Sequence, residues 1–202
     1  MFKFDKLVFG DLGWGDELFF ATLMTITVSI LSMGLGLCLA IITVWAKLIT
    51  NRVTRLIANF YTTVVRGVPE LLVIYLIFFG GNSVVMGVAK LFGYNGYIEL
   101  NALTIGTIAI AFISATYSSE VIRAAYLAVN KGQVEAAKAL GLSKIQIFLR
   151  VMGPQIIRHA LPGIGNVWQI TLKDTSLISV TGLVEIMRQT RIASNVEHSP
   201  LT

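Results

Sequence analysis

Charged residues stand inside, or at the ends of, long apolar runs at Arg66, Glu70, Glu120, Arg123, Lys173 and Asp174. Charge at membrane depth is costly and faces a partner or a water-filled path. Two chemistries fit these residues. One is local pairing, for which Arg66 with Glu70 and Glu120 with Arg123 have helical spacing. The other is a polar path for a zwitterionic or cationic solute. Glu70, Glu120 and Asp174 would offset an amino group there, Arg66 would line the path, and Thr175 and Ser176 would hydrogen-bond that group. Catalysis finds less support. The two histidines, His159 and His198, are far apart and lack a matching set of acids for a metal. Cys38 is the one cysteine, which excludes an intrachain disulfide. Gly163-Ile164-Gly165 lacks the Lys-Ser/Thr ending of a phosphate loop, and Ser176 and Ser179 have no histidine nearby in sequence. The expected site inventory is therefore catalytic none and metal none.

The elements that must position these groups are membrane helices. The chain has 55% hydrophobic and 13% charged residues, against about 25% charged in soluble domains, and its mean hydropathy is +0.75. The net charge of +5 lies between apolar runs and not in a stripe, which speaks against nucleic acid. Leu18 to Ala46 carries no charge over 29 residues, where about 20 suffice to cross the hydrocarbon. Further spans are predicted at about 56–81, 102–122 and 159–183. The second is expected to bend near Pro69, which disrupts helix hydrogen bonding. Residues 82–101 read as an external segment, with Val84 to Phe92 as a short interfacial helix. Lys47, Arg52 and Arg55 follow the first span. The loop 123–158 holds Arg123, Lys131, Lys138, Lys144, Arg150 and Arg158 against Glu135 alone. Positive loops face the cytoplasm, so the N-terminus is expected outside. Charges at Lys3, Asp5, Lys6, Asp11, Asp16 and Glu17 precede the first apolar run, unlike a cleavable signal peptide. The expected fold is an all-α integral membrane protein with at least four transmembrane helices, in one domain over 1–202.

Within the basic loop stands Glu135-Ala136-Ala137, then three residues, Gly141, nine residues, Val151, two residues and Pro154. Val134 to Leu140 is a helix-forming run. Gly141 can take positive φ and end it, and Ser143 can cap a next helix near Lys144. Taken alone, these residues allow an amphipathic hairpin with or without a partner. The spacing resembles the EAA loop of ABC importer permeases. Arg66-Gly67-Val68-Pro69, Tyr117 to Arg123, Lys131-Gly132-Gln133 and Lys173 to Leu177 look like the polar amino-acid branch of that family. Glu70, after the proline, looks more like the histidine, basic amino-acid and opine importers.

The resemblance implies a permease subunit without catalysis of its own. Glu135, Ala136, Ala137, Gly141 and Pro154 would form a cytoplasmic coupling hairpin against an ATP-binding subunit. ATP and Mg²⁺ would sit in that partner, and no cofactor in this chain. It also implies a second permease subunit, identical or a sister chain, an extracytoplasmic solute-binding protein, and a multi-pass place in the bacterial cytoplasmic (inner) membrane. The family's final helix has no counterpart before the chain stops at Ser199 to Thr202. The alternative is an ion-coupled secondary transporter of small polar solutes, which would show paired broken helices in matching halves.

Overall fold

A computed structural model describes residues 8–10, 13–49, 51–94 and 101–196. The N-terminal charges up to Lys6, with Asp11, and the segment from Glu197 through His198 to Thr202 lie outside the described residues. Among the described residues the chain is helical, with no strand. Helix α1 spans Gly15–Leu48, α2 Arg52–Gly67, α3 Glu70–Leu91, α4 Ala102–Ala128, α5 Lys131–Ala139, α6 Lys144–Ile147, α7 Gly153–Asp174 and α8 Ile186–Val196. A π-helical turn, Phe148–Met152, joins α6 to α7, and a 3₁₀ run, Thr175–Thr181, follows α7.

Three helices, α1, α3 and α4, are long and apolar enough to cross a membrane. At 34 residues α1 is about 50 Å long, well beyond the hydrocarbon thickness. Asp16 and Glu17 in its first turn and Lys47 in its last complement the helix dipole. At 22 residues, α7 has the length but also carries Arg158, His159, Lys173 and Asp174.

The expected bent second helix is two helices. Val68 is extended (φ −109°, ψ 142°), as a residue before proline prefers, so α2 ends there and α3 starts after Pro69. Arg66 and Glu70 thus fall on separate helices and not on one helical face. The external segment also differs from expectation. α3 runs unbroken through Gly80-Gly81-Asn82 to Leu91, so Val84 to Leu91 is its last part and no separate interfacial helix. Two glycines weaken a helix by about 1 kcal/mol each in water, whereas in lipid a broken helix leaves backbone groups with no water to bond.

The chain packs as two units, Met1–Met33 with Pro69–Ile110 and Thr171–Thr202, and Gly34–Val68 with Ala111–Ile170. In the first, Val28, Ile110 and Ile178 are fully buried, with Met24, Leu103 and Leu183 packed against them. Ser32 Oγ donates to the Thr107 carbonyl at 3.1 Å, linking α1 to α4 there. Past the 3₁₀ run, the nearly inaccessible Glu185 carboxylate accepts the N–H groups of Met187 and Arg188, both at 2.9 Å, and caps α8. In the second unit Gly36 of α1 leaves room for Ala111 and Ser114 of α4, and Tyr61 Oη donates to the Phe112 carbonyl at 2.6 Å.

Candidate functional site

The hairpin is built by local turn chemistry. Asn130 caps α5, its side-chain oxygen accepting the Gly132 N–H at 2.8 Å. At the other end Leu142 N–H reaches the Ala137 carbonyl at 3.2 Å and Gly141 N–H the Lys138 carbonyl at 2.9 Å. This paired closure is a Schellman motif, which requires its left-handed residue at Gly141, where φ is +76°. Ser143 and Gln146 then form a reciprocal capping box. Gln146 N–H donates to Ser143 Oγ (3.3 Å), and Ser143 N–H to Gln146 Oε1 (2.9 Å).

The π-helical turn that follows places Gly153 N–H on the Phe148 carbonyl and leads straight to Pro154, whose missing N–H and bulky ring a regular helix would not accommodate. Gln155 Nε2 donates to Gln133 Oε1 at 2.6 Å and ties α7 back to α5. Glu135 and Ala136 are exposed, Ala137 is buried against the hairpin, and Pro154 is exposed. The result is a short knob whose exposed surface carries Glu135, Ala136, Lys138 and Lys144 together with the apolar Leu140 and Ile145.

The charged residues sort into two clusters. In the first unit the carboxyl groups of Glu70 and Asp174 lie beside each other, and Asp174 is buried. Beside them Thr175 and Ser176 donate to the carbonyls of Leu172 and Lys173, each at 2.7 Å, so in this conformation their hydroxyls serve their own helix. Lys173 is exposed. In the second unit Arg123 donates to Glu120 Oε2 from Nε (3.0 Å) and Nη2 (2.8 Å). Glu120 Oε1 accepts from Lys47 Nζ, which also donates to Thr62 Oγ1 at 2.7 Å. Arg66 lies over the Tyr117 ring, 5.4 Å from its centroid, a cation–π contact.

Comparison with known proteins decides what the knob and helices belong to. Residues 32–199 match the family described as binding-protein-dependent transport system inner membrane component. The chain belongs to this family. Among relatives, the nopaline transport system permease protein NocQ of Agrobacterium fabrum is 50% identical over 197 residues, covering 97% of this chain and 84% of that protein. The octopine transport system permease protein OccQ of Rhizobium meliloti is 43% identical over 194 residues, covering 96% and 82%. The histidine/lysine/arginine/ornithine transport system permease protein HisQ of Escherichia coli is 38% identical over 188 residues, covering 93% and 82%. A solved structure, "Crystal structure of an amino acid ABC transporter with histidines", aligns with a TM-score of 0.77 and 29% identity over 93% of this chain and 82% of that one.

The permease is thus a transport component with the all-α membrane fold of ABC importer permeases, and the secondary-transporter alternative falls away. Of the residues singled out in sequence, the structure brings Glu70 to Asp174 and Glu120 to Arg123. Reading the permease sequence alone missed Lys47, taken only as a marker of the inner side, and Glu185. Lys47 could not have been found by spacing, since it meets Glu120 across 73 residues of sequence. Glu185 carries a fainter signal, as an acid immediately before the amphipathic run 186–196 fits a helix cap.

Proposed function

We propose that this permease moves basic amino acids or opines across the bacterial cytoplasmic membrane as a multi-pass subunit with its N-terminus outside. It would work with two copies of an ATP-binding subunit, a second permease subunit and an extracytoplasmic solute-binding protein. ATP and Mg²⁺ bind in the ATP-binding partner. Glu135, Ala136, Ala137 and Gly141, with Pro154 behind them, dock that partner, and its closure on ATP moves the knob and turns the path outward. This is alternating access driven by a partner with different affinity for two states.

The observation that carries the reading is the α5–α6 knob, whose turn is fixed by Gly141 at φ +76°. The solute class is supported by the nopaline, octopine and histidine/lysine/arginine/ornithine relatives. It is supported as well by the Glu70–Asp174 pair, since adjoining carboxyl groups favour a cation beside them.

The test is co-purification of the permease from its native membrane, unmodified and as Gly141→Val. A β-branched residue at positive φ is strained whatever the space around it. The expected result is an ATP-hydrolysing subunit that accompanies the unmodified permease and is lost with the variant. Equal recovery of that subunit with both would remove the knob from the contact, and none with either would overturn the importer reading.

A further inference from the structure

Topology alone does not explain the position of Lys47. A lysine that merely marks the inner end of a membrane helix extends its ammonium to water along a flexible stem. Here the side chain is 4% exposed and the ammonium is turned inward. Withdrawing an ammonium from water costs several kcal/mol, which close partners must offset. The partners come from two other helices, Thr62 Oγ1 of α2 at 2.7 Å and Glu120 Oε1 of α4. Glu120 is itself gripped through its second oxygen by Arg123, one turn further along α4. One ammonium therefore joins the last turn of α1 to α2 and α4.

The place of this junction matters. From Glu120, α4 runs on without interruption to Ala128, about 12 Å of rigid helix. Val129 and Asn130 then lead into α5, the first helix of the knob. A displacement of α5 would reach Glu120 along α4, and from there α1 through Lys47 and α2 through Thr62. Two further directional contacts fasten α2 to α4 in the same unit, Tyr61 Oη to the Phe112 carbonyl and Arg66 over Tyr117. In lipid, helix contacts depend on packing and polar bonds, because hydrocarbon gives no hydrophobic drive between helices. Such a junction transmits motion where a purely apolar contact would let helices slide.

We propose that Lys47, clasped between Thr62 and Glu120, is a positioning residue that couples movement of the α5–α6 knob to helices α1 and α2. The inference rests on the importer reading above. Its geometry also supplies a clean perturbation. Lys47→Met keeps the length of the apolar stem, removes the ammonium and leaves Glu120 paired with Arg123, so no buried charge is orphaned.

The experiment reconstitutes the full complex in lipid vesicles, with permease partner, ATP-binding subunit and solute-binding protein, using arginine and histidine as probe solutes. It measures ATP hydrolysis and solute uptake together. For Lys47→Met the complex is expected to assemble and hydrolyse ATP, while uptake per ATP falls about tenfold, within the range of coupling between sites. Lys47→Arg is expected to retain most of the ratio. An unchanged ratio in Lys47→Met overturns the proposal, and so does a loss of hydrolysis and uptake in equal proportion, which marks a merely structural role. Should Lys47→Met not assemble, Thr62→Val serves, because it removes one acceptor and keeps the ion pairs. A lower ratio there supports the clasp, and the unmodified ratio overturns it. No ATP-driven uptake by the unmodified complex would instead overturn the importer reading, and the clasp with it.

Discussion

Substituting Gly36 by alanine probes how tightly α1 and α4 meet in the second unit. A Cβ at position 36 would stand 2.1 Å from Ser114 Oγ and 3.1 Å from the Ala111 carbonyl oxygen. The carbonyl is helix backbone and can yield only slightly. Ser114 is 3% exposed and its hydroxyl donates to that same carbonyl at 3.2 Å, so it must rotate into packed surroundings and give up its bond. Overpacking of this kind costs about 2 kcal/mol. For a chain of this size the unfolding midpoint falls by about 4–8 °C. The remedy is specific. Ser114→Ala deletes the oxygen and leaves Ser114 Cβ at 3.4 Å from the new methyl, an ordinary contact. Recovery of monodisperse protein on size exclusion after stepwise heating in detergent would be measured for Gly36→Ala, Ser114→Ala and the pair. The double variant is expected to regain at least half the loss, with the two sites coupled by about 1 kcal/mol in the cycle. A Gly36→Ala protein as heat-resistant as the unmodified one, or no recovery in the pair, would refute the close approach.

Two further predictions concern the knob and the carboxyl pair. Glu70→Gln in the reconstituted importer is expected to weaken apparent affinity for cationic solutes about tenfold, the scale of one charge-assisted hydrogen bond. Unchanged uptake of every cationic solute would take Glu70 out of the path. Ser143→Ala removes the hydroxyl that accepts the Gln146 N–H, one of the two bonds of the capping box, and about 1 kcal/mol of local helix stability. Amide hydrogen exchange in peptides covering 143–152 should quicken about fivefold, and no change would show that α6 is held by its continuity with α7.

The knob was legible in the sequence because its determinants are local. Gly141 and Ser143 act on residues three to five positions away, so residue order along the chain sets their turn, and the structure adds Gln146 as the reciprocal partner of Ser143. Glu120 with Arg123 was legible for the same reason. The break at Val68 was half legible. Pro69 announced a disturbance, but Val68, driven extended by the proline ring, ends the helix outright and removes the shared face that pairing with Glu70 would need. The run through Gly80-Gly81-Asn82 misled in the opposite sense, because propensities measured in water understate how firmly hydrocarbon holds a helix together. Lys47 with Glu120 and Glu70 with Asp174 were invisible, since each joins helices distant in sequence and only packing brings them together.

Those two long-range clusters also separate structural charge from transport charge. Around Glu120 the signs alternate. Lys47 and Arg123 each occupy one carboxylate oxygen, and Thr62 takes a further ammonium hydrogen. A passing cation finds that carboxylate already engaged, and to bind there it would have to displace an ammonium buried among three helices. Glu70 and Asp174 bring like groups together instead. A cation beside such a pair favours its ionised form, so on the proposed function a basic solute would be drawn to it. On the proposed function, of the acids first considered for a path, Glu70 and Asp174 would serve passage and Glu120 coupling. The Glu70→Gln and Lys47→Met variants are expected to fail differently, the first in solute affinity and the second in uptake per ATP.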